Sequence, residues 1–284
     1  MIKAIAVILS IVFLLENCTP DPEKKAIVTE PKSNFSYRIA SPDKRYELPQ
    51  TLHEISGIAA INDSILACIA DEKGTVCFFN LNTNNIDRKI AFSGKGDFED
   101  LTVIGDTIYV LDSKGVIWSI KHFSKQPLII STKLNIERPF ELEGICHRGD
   151  TLFVAAKYYH NKKRNSEGGL PVWKLSISAM QVDSPLFYLP DIIKPPKSIS
   201  IPFHISAFLF DEINKEWIFL STHSKAIIRC DYSGRILHTE LLSAQEFLQP
   251  EGICFTPSGN LLISNEGKDG AATILLFSGK KKKS

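Results

Sequence analysis

One short phrase recurs along the chain, and its spacing limits the fold more than any other feature. Gln249-Pro250-Glu251-Gly252-Ile253-Cys254 opens a segment that continues FTPSGNLLISNEG. Earlier copies read HEISGIAAINDSILACIADEKG from His53, DFEDLTVIGDTIYVLDSKG from Asp97 and ELEGICHRGDTLFVAAK from Glu141. A weaker copy, HISAFLFDEINKEWIFLSTHSK, starts at His204. Each copy is an apolar run opened by a small or acidic pair, then a polar turn, then a second apolar run. Asn62-Asp63, Gly105-Asp106, Gly149-Asp150 and Pro257-Ser258-Gly259 stand between the runs, as tight hairpins require.

Aligned on their shared position, the copies place Ser56, Glu99, Glu143, Ser206 and Glu251 in one column, at spacings of 43, 44, 63 and 45 residues. A period near 44 built from about four short strands predicts a β-propeller blade. In the second copy the strands fall at 101–104, 107–111, 115–120 and 128–134. In the fifth they fall at 252–255, 261–264 and 272–277, and the chain ends one strand short. The missing strand is at the other end, where 37–48 precedes the first inner strand without a partner. Pairing this segment with 272–277 closes a ring and protects two edges that would otherwise template aggregation. The expectation is an all-β, five-bladed propeller. A six-bladed ring is the alternative, with its extra blade hidden in the 63-residue interval, where about 20 additional residues include YYHNKKRNSEGG and the proline-rich LPDIIKPP.

The same alignment makes a chemical statement. Inner strands line the axis of a propeller, so Glu99, Glu143 and Glu251 are expected to point into the channel at one level, with Ser56 and Ser206 completing the ring. Two residues earlier the column reads Glu54, Asp97, Glu141, His204 and Gln249. At the end of the second strand it reads Asp71, Asp112, Ala156, Thr222 and Asn265. Converging carboxylates cannot all ionise without compensation. A hard cation with oxygen ligands, calcium above all, suits such a ring. The alternative is that these glutamates accept backbone amides of the neighbouring blade and only latch the blades together.

The remaining stretches bound the possible functions. A formal net charge of +1 leaves no electrostatic footprint for nucleic acid. Lys280 to Lys283 is a basic tail. At the N-terminus, Lys3 precedes twelve residues, 4–15, broken only by Ser10. That is too short to span a bilayer, which takes about 20 apolar residues, and it matches the apolar region of an export signal. The following Leu15-Glu16-Asn17-Cys18 resembles a bacterial lipoprotein signal, although Glu16 and Asn17 depart from the usual small residues. The resemblance implies that Cys18 is the lipidated first residue of an exported, membrane-anchored envelope protein. The expected order is signal peptide 1–17, tether 18–33, propeller 34–279 and tail 280–284. Cys68, Cys77, Cys146, Cys230 and Cys254 lack zinc-site spacing. Cys146 and Cys254, at one repeat position inside an apolar strand, read as small hydrophobes. Cys68 and Cys77 are placed to face each other across a hairpin, where an export compartment permits a disulfide, although directly opposed strand residues rarely meet its geometry.

The runs HEISGI, DFEDLTVIGDTIYVLDSKGVIW, ELEGI with GDTLFVAAK, and QPEGICFTPSGNLLISNEG together resemble the SdiA-regulated proteins of bacteria, over roughly residues 50 to 277. The resemblance implies a five-bladed propeller distantly related to NHL-repeat propellers, with a bound calcium and no established activity. A binding module for a protein, glycan or small molecule is the leading expectation. The alternative is a calcium-dependent hydrolase of the lactonase or esterase kind, because Glu-Gly-Ile before an inner strand resembles the Glu-Gly motif of such propellers. No Ser-His-Asp, Cys-His or phosphate-loop constellation is visible; His160 and His223 are the candidate bases by position alone.

Overall fold

Every repeat runs up and down as an antiparallel sheet. The computed structural model describes residues 35, 37–136, 140–159, 169–196, 198–268 and 270–279. The expected signal peptide, Cys18, the tether and the basic tail lie outside the described residues, as does His160.

Blade 1 orders Ile55–Ala60, Ile65–Ala70, Lys73–Asn80 and Asn85–Lys95 from the axis outward. Blade 2 orders Phe98–Ile104, Thr107–Asp112, Val116–Lys121 and Leu128–Lys133. Blade 3 is Phe140–Arg148, Thr151–Tyr159 and Leu170–Ser176, with Gln181–Val182 and Phe187–Leu189 both paired to the last. Blade 4 is Ala207–Asp211, Glu216–Ser221, Ala226–Cys230 and Ile236–Leu241. Blade 5 is Pro250–Phe255, Leu261–Asn265 and Thr273–Phe277, completed by Lys44–Glu47 from the other end of the chain. The five inner strands touch in the cycle 1-2-3-4-5-1.

The closing pair is antiparallel, with Lys44 opposite Leu276 and Glu47 opposite Thr273. The start of the expected segment does other work: Ile39, with Phe35 just ahead of the segment, is buried between blades 4 and 5, and the Tyr37 hydroxyl donates to the Gly259 carbonyl at 2.9 Å. The long interval forms no sixth blade among the described residues. It adds short strands to blade 3 and a two-stranded ribbon, Ile192–Ile193 with Ile201–Pro202. Pro185, Pro190, Pro195 and Pro196 interrupt it, and a proline cannot donate to a strand ladder. Gly105, Gly149 and Gly259 take positive φ of 55°, 53° and 83° at the expected hairpin turns.

Buried residues fall into five clusters, each wedged between two neighbouring blades. Leu66 and Cys68 face blade 5, while the alternating Ala67 and Ile69 face blade 2. Phe153 and Ala155 pack against Phe208 and Trp217 of blade 4, whereas Leu152 and Val154 pack against Tyr109 and Leu111 of blade 2. Both faces of each blade are therefore buried. That is why middle strands such as Leu261–Asn265 read as continuous apolar runs, not as alternating ones. The five described cysteines are free and buried. Cys68 lies opposite Cys77 in the ladder, as their spacing suggested.

Candidate functional site

The Glu-Gly phrase is where inner strands of neighbouring blades come closest. A Cβ on Gly144 would meet the Phe208 ring at 2.7 Å, and one on Gly252 would meet Ser264 Oγ at 2.7 Å and the Ile58 backbone nitrogen at 3.0 Å. The glycines are thus required by blade packing. The residue just before each one has a different role, because the inner strand bulges there. Ser56, Glu99 and Glu143 are each the extra, unpaired residue of a register shift, and Glu251 and Gly252 together face a single residue. A bulge re-aims a side chain away from the pleat. Here it turns the residue toward the axis.

The result is a cavity of about 250 Å³ at the mouth of the channel, lined by Glu54, Ser56, Asp71, Asp97, Glu99, Glu141, Glu143, Lys157, Gln249, Glu251 and Glu266, with Ile55. Eight of these are carboxylates and one is an ammonium. Four of the five residues in the shared column reach the cavity, as do four of the five from two residues earlier. Ser206 does not: its hydroxyl accepts the Thr222 amide at 3.1 Å. The third column corrects in register. Asp71 lines the cavity, but in blades 3 and 5 the lining residue is one place later, Lys157 and Glu266. In blade 3 the cause is a second bulge: Glu141 pairs with Tyr158 and Leu142 with Ala156, which leaves Lys157 extra. Asp112 instead accepts the Lys114 amide at 2.8 Å.

Lys157 Nζ lies 2.6 Å from Glu143 Oε1. Glu143 is 3% exposed, and its Oε2 is buried and reaches no amide, ammonium or alcohol donor; the Glu99 carboxyl lies against the same group. Burial, then the charge of Glu143, pushes Glu99 well above the carboxylate range, which favours its protonated form beside Glu143. Burial also raises Glu143 itself, against the pull of Lys157. Glu251 is raised to about 7, mainly by burial, with Lys157 opposing. Asp71 is raised to about 6 by burial and by Asp97 beside it. For Lys157, burial alone would lower the pKa; Glu143, Glu99 and Glu251 outweigh it and hold the ammonium above its usual value. His204 stacks on His223 with ring centroids 4.4 Å apart. Burial, then His223, lowers the pKa of His204.

Latching exists too, but other residues do it. Asp100, one place after Glu99, is buried and accepts the Leu101 amide at 2.8 Å and, across the blade boundary, the Ile145 amide at 3.0 Å. Ser56 Oγ donates to the Phe98 carbonyl at 2.7 Å, tying blade 1 to blade 2. Thr222 Oγ1 donates to the Pro250 carbonyl, tying blade 4 to blade 5.

Every lining side chain other than Ile55 and Lys157 offers oxygen, which suits a hard cation and not zinc. The described residues contain no group of three or more His, Cys, Asp or Glu already spaced around a metal position. The charge next to Glu143 is instead the Lys157 ammonium. Lys157 escaped the sequence reading because it stands at the end of an apolar strand, beside the long interval; its one sequence signal is a charge directly after Ala155-Ala156.

No family model matches the chain, and no curated protein matches it. Among solved structures, the glutaminyl cyclase of Myxococcus xanthus superposes with a TM-score of 0.60 at 14% identity, over 84% of this chain and 95% of that one. A luciferin-regenerating enzyme superposes with a TM-score of 0.54 at 10% identity, over 85% and 96%. A protein of unknown function from Bacteroides thetaiotaomicron gives 0.51 at 13%, over 80% of this chain and 56% of that one. At these identities the likeness is one of fold: a β-propeller, of a kind also found in enzymes.

Proposed function

We propose that this chain is a calcium-binding propeller of the SdiA-regulated type, exported, lipid-anchored through Cys18, and acting as a binding module for a protein, glycan or small-molecule ligand. The observation that carries the calcium reading is Glu143. It is a buried carboxylate facing an acidic cavity, with one oxygen on Lys157 and the other reached by no amide, ammonium or alcohol donor. Glu99, Glu143 and Glu251 are the residues to hold the ion. A calcium ion held there would supply the positive charge that lets these three carboxyl groups ionise together. Calorimetry with calcium on the wild type and on Glu143→Gln tests this. Heat from the wild type that is lost or much reduced in the variant supports the reading; no heat and no thermal shift from the wild type ends it. For the anchor, Cys18→Ser should abolish acylation and release the protein from the membrane fraction.

A second reading, a calcium-dependent lactonase- or esterase-like hydrolase, is favoured by one specific feature. Glu99 and Glu143 are two carboxyl groups in hydrogen-bond contact at one side of the cavity, both raised by burial and Glu99 the further, an unequal pair of the kind general acid–base catalysis uses. Two of the superposing structures, the glutaminyl cyclase and the luciferin-regenerating enzyme, are named as enzymes. A panel of lactones and aryl esters, with and without chelator, separates the readings: chelator-sensitive turnover lost in Glu143→Gln selects the hydrolase.

A further inference from the structure

We propose that Lys157 is a built-in competitor for the cation, an ammonium on a flexible side chain that occupies the charge position of the glutamate cluster and is driven out when a divalent ion enters. The proposal rests on the calcium reading above and goes beyond it by naming what sets the affinity.

Three observations carry it. First, the contact is direct: Nζ lies 2.6 Å from Glu143 Oε1, and Glu143 faces the cavity beside Glu99 and Glu251. A cation that takes the open Oε2 of Glu143 shares one carboxylate with the ammonium on Oε1, and two positive charges that close repel strongly in a partly desolvated cavity. Second, the local fold is bent to bring the two together. Glu143 is the extra residue on one strand and Lys157 the extra residue on the facing strand, so two opposed bulges in one hairpin present both charges to the channel. A regular ladder, in which side chains simply alternate between faces, would need neither. Third, the lysine can leave. Its side chain is 32% exposed, against 4% for that of Glu143, and its long flexible stem lets the ammonium withdraw into water while the carboxylate stays.

The ligand class is a small divalent cation. A monovalent ion exchanges one positive charge for one, with no net gain. A divalent ion brings one charge more than it displaces, so the cluster discriminates by charge and not only by size.

The test is calorimetric titration of calcium chloride into full-length wild type, Lys157→Met and Lys157→Arg. Coupling between two ligands of one site is commonly worth about 5- to 150-fold, so Lys157→Met should bind calcium roughly tenfold or more tightly than the wild type. Lys157→Arg, which keeps the charge, should stay within a few-fold of the wild type or bind more weakly. Lys157→Met binding equally or more weakly overturns the competitor role and leaves the calcium reading standing. No binding by the wild type or by Lys157→Met overturns both. Because a lysine-free variant can fold poorly, a second measurement uses the wild type alone. Amine labelling mapped by mass spectrometry should show Lys157 reacting faster in calcium than in chelator. An unchanged Lys157 rate in calcium that binds by calorimetry rejects the displacement.

Discussion

Lys157 and Glu143 stand on neighbouring strands of blade 3, each the odd residue of its own bulge, and meet with Nζ 2.6 Å from Oε1. Around that pair the cavity holds seven further carboxylates, so in the metal-free protein one ammonium neutralises a small part of the charge. Several measurable consequences follow from this imbalance and from the ring that creates it.

Replacing Lys157 by alanine removes the only described counter-charge in the cavity. Breaking a fully buried pair costs about 3–5 kcal/mol. Lys157 is about one-third exposed, so solvent screening reduces that to roughly 1–3 kcal/mol. Urea unfolding in chelator should report this loss, and millimolar calcium should recover most of it. Glu143→Gln should cost less in chelator, because it also relieves repulsion.

Stability in chelator should fall as pH rises. Glu251 has a folded pKa of about 7 against an ordinary 4.5, so between those values the native state holds a proton that the unfolded chain has released. Unfolding therefore becomes easier with increasing pH. A shift of this size corresponds to on the order of 3 kcal/mol. Glu143 and Glu99, raised in the same direction, extend the trend above neutrality. Thermal melts should be highest near pH 5 and several degrees lower at pH 8, and saturating calcium should flatten or reverse the slope. A melt that rises from pH 5 to 8 in chelator would contradict the buried-carboxylate assignment.

Two glycines separate packing from backbone strain. Gly252→Ala puts a methyl 2.7 Å from Ser264 Oγ and 3.0 Å from the Ile58 backbone nitrogen. With backbone on one side unable to yield, roughly 2–4 kcal/mol should be lost. Gly105→Ala meets nothing within 4 Å but sits at φ +55°, so it should cost only about 1 kcal/mol. Paired denaturation curves check the ranking.

Ring closure depends on four residues from the far end of the chain. Deleting the chain up to residue 49 removes Lys44–Glu47 and leaves Thr273–Phe277 as an open edge. It also removes Phe35, Ile39, Tyr46 and Leu48 from the packing of blade 5. The truncated protein should lose cooperative unfolding and aggregate through that edge. Supplying residues 35–49 as a peptide should restore part of the stability.

Much of this molecule is readable from its residues. The period of the phrase sets the blade, the missing strand sets the closure, and the glutamates at 99, 143 and 251 fall in one column because inner strands share an axis. These follow from local pattern: apolar runs, turn residues and spacing act within a single hairpin or repeat nearly whatever the rest of the chain does. The interval after Lys157 was ambiguous because short apolar runs broken by proline suit a ribbon as well as a weak blade. Its outcome turned on whether five inner strands already close the ring.

What the sequence by itself determined is the propeller, its count of repeats and the convergence of acid at one mouth. Only the tertiary structure decided that Ser206 turns away from the cavity, that Glu266 joins it, and that Asp100 accepts the backbone amide that ties blade 2 to blade 3. It also decided that an ammonium answers the carboxylates. A bulge shifts by one residue which side chain faces the axis, and the pattern of apolar residues barely changes when it does. Lys157 reaches Glu143 because two such shifts oppose each other in one hairpin, a relationship between strands that no single stretch of sequence carries.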